Sequence, residues 1–531
     1  MPIAAKTASV SLWSPFRSRQ YAIIWTATLV SNIGGWMYSS TSAWLMTSLD
    51  SSPLMVSLVQ VASSLPMFLF AIPAGALADI VDRRRFLIGA ESYITVVCTL
   101  FAVMVWLHLI TPGTLLLFTF LVEAGSAATS PGWQSVVPDL VPHEDLGPAL
   151  AMNSVGVNIS RAIGPALGGV ITTSFGIAAP FWVNAASNLG SIGALVWWRA
   201  PTVRTSQLPA ERFASAIRTG IRHARFNSHL HATTIRAVGF FLFASCYWAL
   251  LPLVARSQLH GGAPLYGMLL GAIGLSAIAG AFALPWLKQQ LGPNKVVAAG
   301  SLATAASMVL FGLARNAPTA LLACVIAGSS WIAVLANLNV SAQLALPEWV
   351  KGRGLAIYVT VFFGAMTLGS IVWGQVASVG GLPLAHFSAA AGAALAVLLT
   401  WRWRLQTGSG PDLTPSMAWP TPVVNESIEG DSGPVLVMVE YMIDPKDREA
   451  FLDAAASLSH ERGRDGAFAW GVFDDVALPG RMVETFYVES WFEHLRQHER
   501  VTKADQVIEK KIHALLTTAA RTTHLLSSQR H

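Results

Sequence analysis

Apolar runs dominate the first four hundred positions of the chain, and short polar or charged turns interrupt them. A helix needs about 20 apolar residues to cross a bilayer. Runs of that order fall near 21–48, 54–80, 86–110, 113–133, 148–176, 179–199, 232–256, 264–287, 296–314, 317–345, 355–379 and 384–403. The pattern therefore predicts twelve transmembrane helices.

The pattern changes after residue 404. Residues 405–433 are rich in Gly, Pro and Ser and read as a linker. Beyond it, "VLVMVEYMI" alternates as a strand and "PKDREAFLDAAASLSHER" reads as a helix. "GAFAWGVFDD" and "RMVETFYVES" read as a hairpin, "WFEHLRQHERVT" and "KADQVIEKKIHALL" as helices, and "ARTTHLL" as a last strand. This β-α-β-β-α-β order predicts a ferredoxin-like α+β domain. The expected borders are 1–199 for helices 1–6, 200–231 for a central loop, 232–404 for helices 7–12, 405–433 for the linker and 434–531 for the tail domain.

Composition and charge agree with that division. The chain is 53% hydrophobic and only 12% charged, against about 25% charged in ordinary soluble domains. Residues 1–433 hold 22 Lys+Arg and 14 Asp+Glu, whereas residues 434–531 hold 12 and 15. The basic balance thus belongs to the membrane part and gives no argument for nucleic acid. Eighteen loop Lys/Arg fall on the face shared with the N-terminus and two, Arg256 and Arg315, on the other. The positive-inside bias then places both termini in the cytoplasm, in a cell (inner) membrane. The N-terminal stretch shows no cleavable-signal pattern, so the first span is expected to act as its own insertion signal. Cys98, Cys246 and Cys324 each sit in an apolar run and read as buried small hydrophobes. In the central loop, "AERFASAIRTGIRHARF" reads as an amphipathic helix on the cytoplasmic surface.

The corner "GALADIVDRRR" at Gly75–Arg85 has a counterpart, "GAFALPWLKQQ", beginning at Gly280. At the same offset of 205, Gly34 meets Gly239, Pro142 meets Pro347, and Gly164 and Gly169 meet Gly369 and Gly374. A register held that long predicts two six-helix copies. An even number of spans per copy makes the repeat parallel, with the pathway between the halves. Few ionisable residues lie at membrane depth, where they are expensive: Glu91, Glu123, Arg161 and Arg236. Glu123 is the candidate proton carrier, because a carboxyl in low dielectric can be tuned to cycle between its two forms near neutral pH. Arg161 is its natural partner. A static Glu123–Arg161 pair that merely avoids an unpaired charge fits the sequence equally well.

The corner at Gly75 resembles the signature between spans 2 and 3 of the major facilitator superfamily, a Gly-x-x-x-Asp followed by a basic cluster. The resemblance implies a cytoplasmic gate made by Gly75, Asp79, Arg83, Arg84 and Arg85, with Asp82 departing from the usual Gly or Pro. "SRAIGPALGG" (Ser160–Gly169) resembles a span-5 motif of exporters, which implies helix packing through Gly164, Pro165, Gly168 and Gly169. "SPGWQSVVPDLVP", "LAMNSVGVNISRAIGPALGG" and "LPEWVKGRG" are similar to the enterobactin-exporter-like branch. Together with the repeat, the resemblance covers about residues 15–404. That branch exports siderophores and hydrophobic drugs. Asn153, Asn158, Asn184 and Asn188, with Trp36, Tyr38, Trp248 and Tyr358, are candidates to line a cavity for an amphipathic compound; helix packing is the competing role for each.

The tail resembles the ferredoxin-like domain of antibiotic-biosynthesis monooxygenases, which implies a homodimer contact. Trp470, Glu484, Trp491, His494 and His498 are candidates for a tail pocket. His494 and His498 have the i,i+4 spacing of metal ligands, but no third ligand stands out and no metal site is expected. With no Gly-rich phosphate loop, neither ATP use nor a cofactor is expected. The expected function is a proton-coupled, alternating-access exporter of a siderophore- or drug-like molecule. The alternatives are an importer of the same fold, or a transporter whose tail is an enzyme or ligand sensor. Expected partners are the substrate, protons and the lipid bilayer, with no nucleic acid.

Overall fold

The structure is a computed structural model and describes residues 11–198, 221–407 and 432–527. The first part of the central loop and most of the linker lie outside the described residues. So do the side chains of 75–80, 131, 134–135, 143, 348, 499–500 and 504–505. The chain forms two compact units.

The first unit, Met1–Ala210, Thr234–Asn339 and Tyr358–Arg404, is helical. Its helices are α1 (Arg19–Leu49), α2 (Pro53–Ile80), α3 (Arg83–Trp106), α4 (Pro112–Leu140), α5 (Leu146–Phe175), α6 (Ala179–Trp197), α7 (Ser228–Leu253), α8 (Ala263–Leu313), α9 (Ala317–Leu344) and α10 (Lys351–Thr400), a few of whose end residues belong to the second unit. Local signals set their starts. The Ser18 hydroxyl accepts from Tyr21 N at the head of α1, and Thr111 and Thr114 form a capping box on α4. Positive-φ glycines break α8 at Gly292 and α10 at Gly381.

Among the described residues, seven helices are long and apolar enough to cross a membrane: α2–α4 and α7–α10. Their outward faces carry exposed Phe282, Val379 and Leu398, a surface that suits lipid rather than water. The other three, α1, α5 and α6, carry Asn, Ser, Thr and Arg161 along their length. These polar helices pack on one another. Ser31 Oγ donates to Asn188 Oδ1 (2.8 Å), and Tyr21 and Trp25 donate to α5 carbonyls of Ala149 and Met152.

Two helix crossings join the N-terminal helices to α8 and α10. A Cβ on Gly169 of α5 would lie 2.8 Å from the Ala263 carbonyl oxygen, and one on Gly267 of α8 would lie 2.7 Å from the Pro165 carbonyl oxygen. Across the second crossing, Leu54 N donates to Ser378 Oγ (3.1 Å), Ser64 and Thr367 share a 2.8 Å hydrogen bond, and Gly374 lies against Ser57. Arg256 donates to Thr47 and Ser48 and lies 5.4 Å from the Trp44 ring, which stacks on Tyr266. These contacts run from the helix ends away from the chain termini to mid-depth, where Gly274 lies against Ala162 and Gly364 against Phe68.

The second unit is Glu211–Thr233, Val340–Ile357 and Leu405–His531. Its sheet comprises β1 (Val435–Met442), β2 (Phe468–Asp474), β3 (Arg481–Val488) and β4 (Arg521–Leu526), all antiparallel in the order β2-β3-β1-β4. Helix α11 (Arg448–Arg464) links β1 to β2, while α12 (Trp491–Arg500) and α13 (Lys503–His513) link β3 to β4. β1 alternates between buried and half-buried positions, so one face carries Val435, Val437, Val439 and Tyr441 into a core with Phe451, Phe486 and Ile512. Residues 221–226 are helical and belong to this unit. Arg222 donates to the Gly466 carbonyl (2.6 Å) and lies 3.9 Å from Glu489, while Asn227 donates to the Ala345 carbonyl. Residues 221–227 are thereby tied into this unit.

Candidate functional site

Inside the first unit, Glu123 projects from α4 toward α1, where Ser39 Oγ donates to its Oε1 at 3.4 Å. Arg161 projects from α5 and lies over the Trp36 ring of α1, 5.2 Å from its centroid. Both charged groups thus reach α1, but on different partners, and they form no ion pair with each other. Arg161 is within electrostatic reach of the Tyr247 hydroxyl on α7. Tyr247 belongs to an aromatic group with Trp248 and Trp331, whose indole rings lie 5.4 Å apart; Phe241 and Phe362 pack on Trp331. Arg161 Nε, Tyr247 OH, Trp248 Nε1 and Trp331 Nε1 are buried without a hydrogen-bond partner. Such a group costs about 1–3 kcal/mol, so four in one region are donors available to an acceptor. Tyr247 and Trp331 were not singled out from sequence. Each sits in an apolar run, and only the fold brings them to Arg161.

The other expected cavity residues are used in varied ways. Tyr38 is buried against Phe101 and Phe181, and its hydroxyl has no partner. Asn184 is buried and donates to Cys98 Sγ (3.2 Å). Asn188 accepts from Ser31, leaving its Nδ2 without a partner. Asn153 accepts from Tyr21 OH (3.4 Å), and Asn158 donates to the Ser154 carbonyl of its own helix. Tyr358 is buried with an unpartnered hydroxyl. Glu91 accepts from Trp133 Nε1 (3.2 Å), and Arg236 donates to Asn294 (2.9 Å). In the span-5 motif, Gly164 faces the Trp36 Cβ and the Ile33 carbonyl of α1, Gly168 faces Ser40, and Pro165 and Gly169 face α8.

At the charged corner, Gly75 and Asp79 lie in the last turns of α2, their side chains outside the described residues. Asp82 caps α3 by accepting from Arg85 N at 2.8 Å. Its presence thus has a local cause. Arg84 donates to the Leu195 and Val196 carbonyls at the end of α6 (2.8 and 2.5 Å), and Arg83 lies 3.7 Å from Asp139.

In the tail, the expected pocket residues fall into two groups. Glu484 is buried and accepts from Tyr441 OH (2.7 Å), Trp470 Nε1 (2.9 Å) and Arg462 Nε (3.2 Å). Burial opposes the Arg462 charge, but Glu484, Tyr441 and Glu509 more than offset it and hold its pKa above the ordinary value. The Tyr441 hydroxyl is pushed well up, first by burial and then by Glu484. The second group is Trp491, His494 and His498, joined by His524 of β4. Burial, then the neighbouring imidazoles, push His494 down to about 3.

A family profile described as "Transmembrane secretion effector" matches residues 10–531. The chain belongs to this family of MFS transporters. Among curated relatives, the uncharacterised MFS-type transporter YfiS of Bacillus subtilis is 26% identical over 29% of this chain, and the match spans only 36% of YfiS. The staphyloferrin A transporter of Staphylococcus aureus is 22% identical over 49% of this chain and 65% of its own length. The multidrug efflux pump Tap of Mycolicibacterium fortuitum is 22% identical over 68% of this chain and 90% of its own length. A solved POT family peptide transporter in an auto-inhibited form aligns with a TM-score of 0.60 at 12% identity, over 74% of this chain and 99% of that one. A bacterial homologue of the lysosomal transporter Spinster, captured inward-facing, aligns with a TM-score of 0.53 at 15% identity, over 73% and 95%. These structural likenesses define the fold. The family's helical membrane-spanning architecture is therefore that of this chain.

Proposed function

We propose that this protein is a proton-coupled exporter of a small amphipathic compound, siderophore- or drug-like, working by alternating access. The observation that carries the reading is the placement of Glu123 and Arg161: two charged groups inside the bundle, each held to α1 and not paired with each other. A carboxyl held by one long hydrogen bond can exchange its proton. An arginine within electrostatic reach of Tyr247, whose aromatic group carries the unpartnered Trp248 and Trp331 donors, can meet an acceptor-bearing aromatic cargo. The efflux function of Tap and of the macrolide efflux protein of Streptococcus pyogenes supports export, and the staphyloferrin relative supports a siderophore-like cargo.

Breaks at Gly292 and Gly381 divide the two longest helices, of 51 and 50 residues, which supports a twelve-span reading in two parallel six-helix repeats. Crossings that run from the ends away from the termini to mid-depth support a pathway closed on that side. With both termini in the cytoplasm of an inner-membrane protein, this is the inward-open state. Asp79 with Arg83 to Arg85 then serves as the cytoplasmic latch that forms when the cycle reverses. The order β2-β3-β1-β4 supports a ferredoxin-like tail, assigned here to ligand sensing or dimer contact rather than catalysis, because Glu484 is engaged by three donors.

The test is proton release from energised everted vesicles challenged with siderophores, macrolides and other hydrophobic drugs, with wild type beside Glu123→Gln. Gradient collapse by wild type alone establishes antiport and places the coupling carboxyl. Collapse that survives the substitution reduces Glu123 to a structural role, and substrate-driven uptake into energised cells instead identifies an importer.

A further inference from the structure

We propose that His494, His498 and His524 form a binding site in the tail for one first-row divalent transition-metal ion, with zinc as the reference ion. The sequence offers only the pair on α12. Its i,i+4 spacing puts both imidazoles on one helical face, and Nε2 of His498 lies 3.2 Å from Nε2 of His494. Two nitrogens bound to one tetrahedral zinc at about 2.0–2.1 Å stand about 3.4 Å apart, so the pair is spaced as two ligands of one ion would be.

The third ligand comes from the last strand, β4. His524 pairs in register with Val437, on the sheet face that α12 covers, and its ring centroid lies 4.7 Å from that of His494. One ligand atom from each of the three histidines lies within 4.8 Å of the others. His524 is half-buried on the edge strand β4, which leaves its ring freedom to close the remaining distance.

The surroundings orient the donors. His494 is 1% exposed, and its Nδ1 faces Gln497 Oε1 at 3.4 Å. A proton on Nδ1 shared with that oxygen leaves the Nε2 lone pair directed at His498, as in histidine ligands fixed by an outer acceptor. The Trp491 ring meets His524 edge-on at 6.1 Å and walls one side. Three imidazoles suit zinc, cobalt, nickel or copper rather than magnesium or calcium, which take oxygen donors. Three protein ligands also leave a coordination position for water or a cargo group.

The competing account is a neutral histidine–histidine hydrogen bond that only fills the core. To separate the two, the full-length protein in detergent, purified through a tag without histidine and stripped of metal, is titrated with Co2+. One Co2+ per chain with visible d–d absorption typical of nitrogen ligands in a four- or five-coordinate site is expected, displaced by one equivalent of Zn2+. His498→Gln and His524→Gln, each replacing a half-buried residue, should each weaken binding by about tenfold or more. His460→Gln and His513→Gln should not. Absence of the d–d signal, or affinity unchanged in both site variants, overturns the proposal. Binding unaffected by Glu123→Gln keeps this result separate from the transport reading.

Discussion

Gly176 and Gly381 lie 205 positions apart and hold the same backbone conformation, φ 88°, ψ 166° in one and φ 80°, ψ 167° in the other. That region of backbone space is essentially open to glycine alone. Each residue ends one long helix and turns the chain into the next. A Cβ at Gly176 would meet nothing within 4 Å, and one at Gly381 only Pro383 Cδ at 3.8 Å. Any cost of a side chain is therefore backbone strain. Gly176→Ala and Gly381→Ala should each destabilise by about 1–3 kcal/mol. Gly190→Ala, in an exposed helical site with open space around it, should stabilise by up to about 1 kcal/mol. Thermal unfolding of the full chain in detergent gives the comparison, and a neutral result at either turn contradicts it.

The same offset appears in the packing. Gly169 of α5 lies against Ala263 at the start of α8, and Gly374 of α10 lies against Ser57 near the start of α2. Both glycines were legible in the sequence as packing positions, because close helix approach in a membrane selects small residues and leaves a visible pattern. Apolar runs and loop charges likewise marked the long helices. What the sequence hid is contact between distant elements. Arg161 reads as the partner of Glu123 from charge alone, yet it settles on Trp36, since a ring face also receives a guanidinium. Tyr247 and Trp331 look like ordinary aromatic residues in apolar runs, and His524 looks like a stray histidine in a short strand. Nothing local distinguishes them, and only the fold assembles them.

Arg161 supplies the second prediction. Its guanidinium has a ring beneath it and a buried Nε without a partner. Arg161→Ala should reduce substrate-driven proton release at least tenfold for whichever panel compound collapses the wild-type gradient. Arg161→Lys should restore part of it, since the charge returns without the planar donor fork. Full activity of Arg161→Ala at normal expression would assign the residue to packing alone.

Glu484 anchors the tail core. Removing one member of a buried ion pair strands the other charge and costs about 3–5 kcal/mol. Glu484→Ala should therefore lower the tail's melting temperature sharply, because Arg462 loses its buried partner at 3.2 Å and is left with Glu509 at the longer distance of 3.7 Å. The double change Arg462→Met with Glu484→Leu should recover part of the loss. Recovery stops short of wild type because Tyr441 OH and Trp470 Nε1 lose their shared acceptor. Equal destabilisation by the single and double variants would show that these two donors, and not the ion pair, set the cost.

The turn between β2 and β3 gives a pH prediction with a definite sign. Asp475 accepts from Ala477 N (2.8 Å), from Arg481 Nη1 (2.6 Å) and from Leu478 N (3.3 Å). These contacts, the backbone bond from Ala477 first and then the Arg481 bond, hold its pKa below the ordinary carboxylate value of 3.8. A carboxylate whose folded pKa is depressed contributes stability that is fully present above the unfolded value. That stability is lost as pH falls through the folded one. Hydrogen exchange at the Ala477 and Leu478 amides, corrected for intrinsic rate, should accelerate as pH drops below about 3.8. In Asp475→Asn it should already be faster at neutral pH and show little further change. Protection that stays constant in the wild type down to acid pH would mean that Arg481, through its contact with Glu440 at 3.0 Å, holds the turn without Asp475.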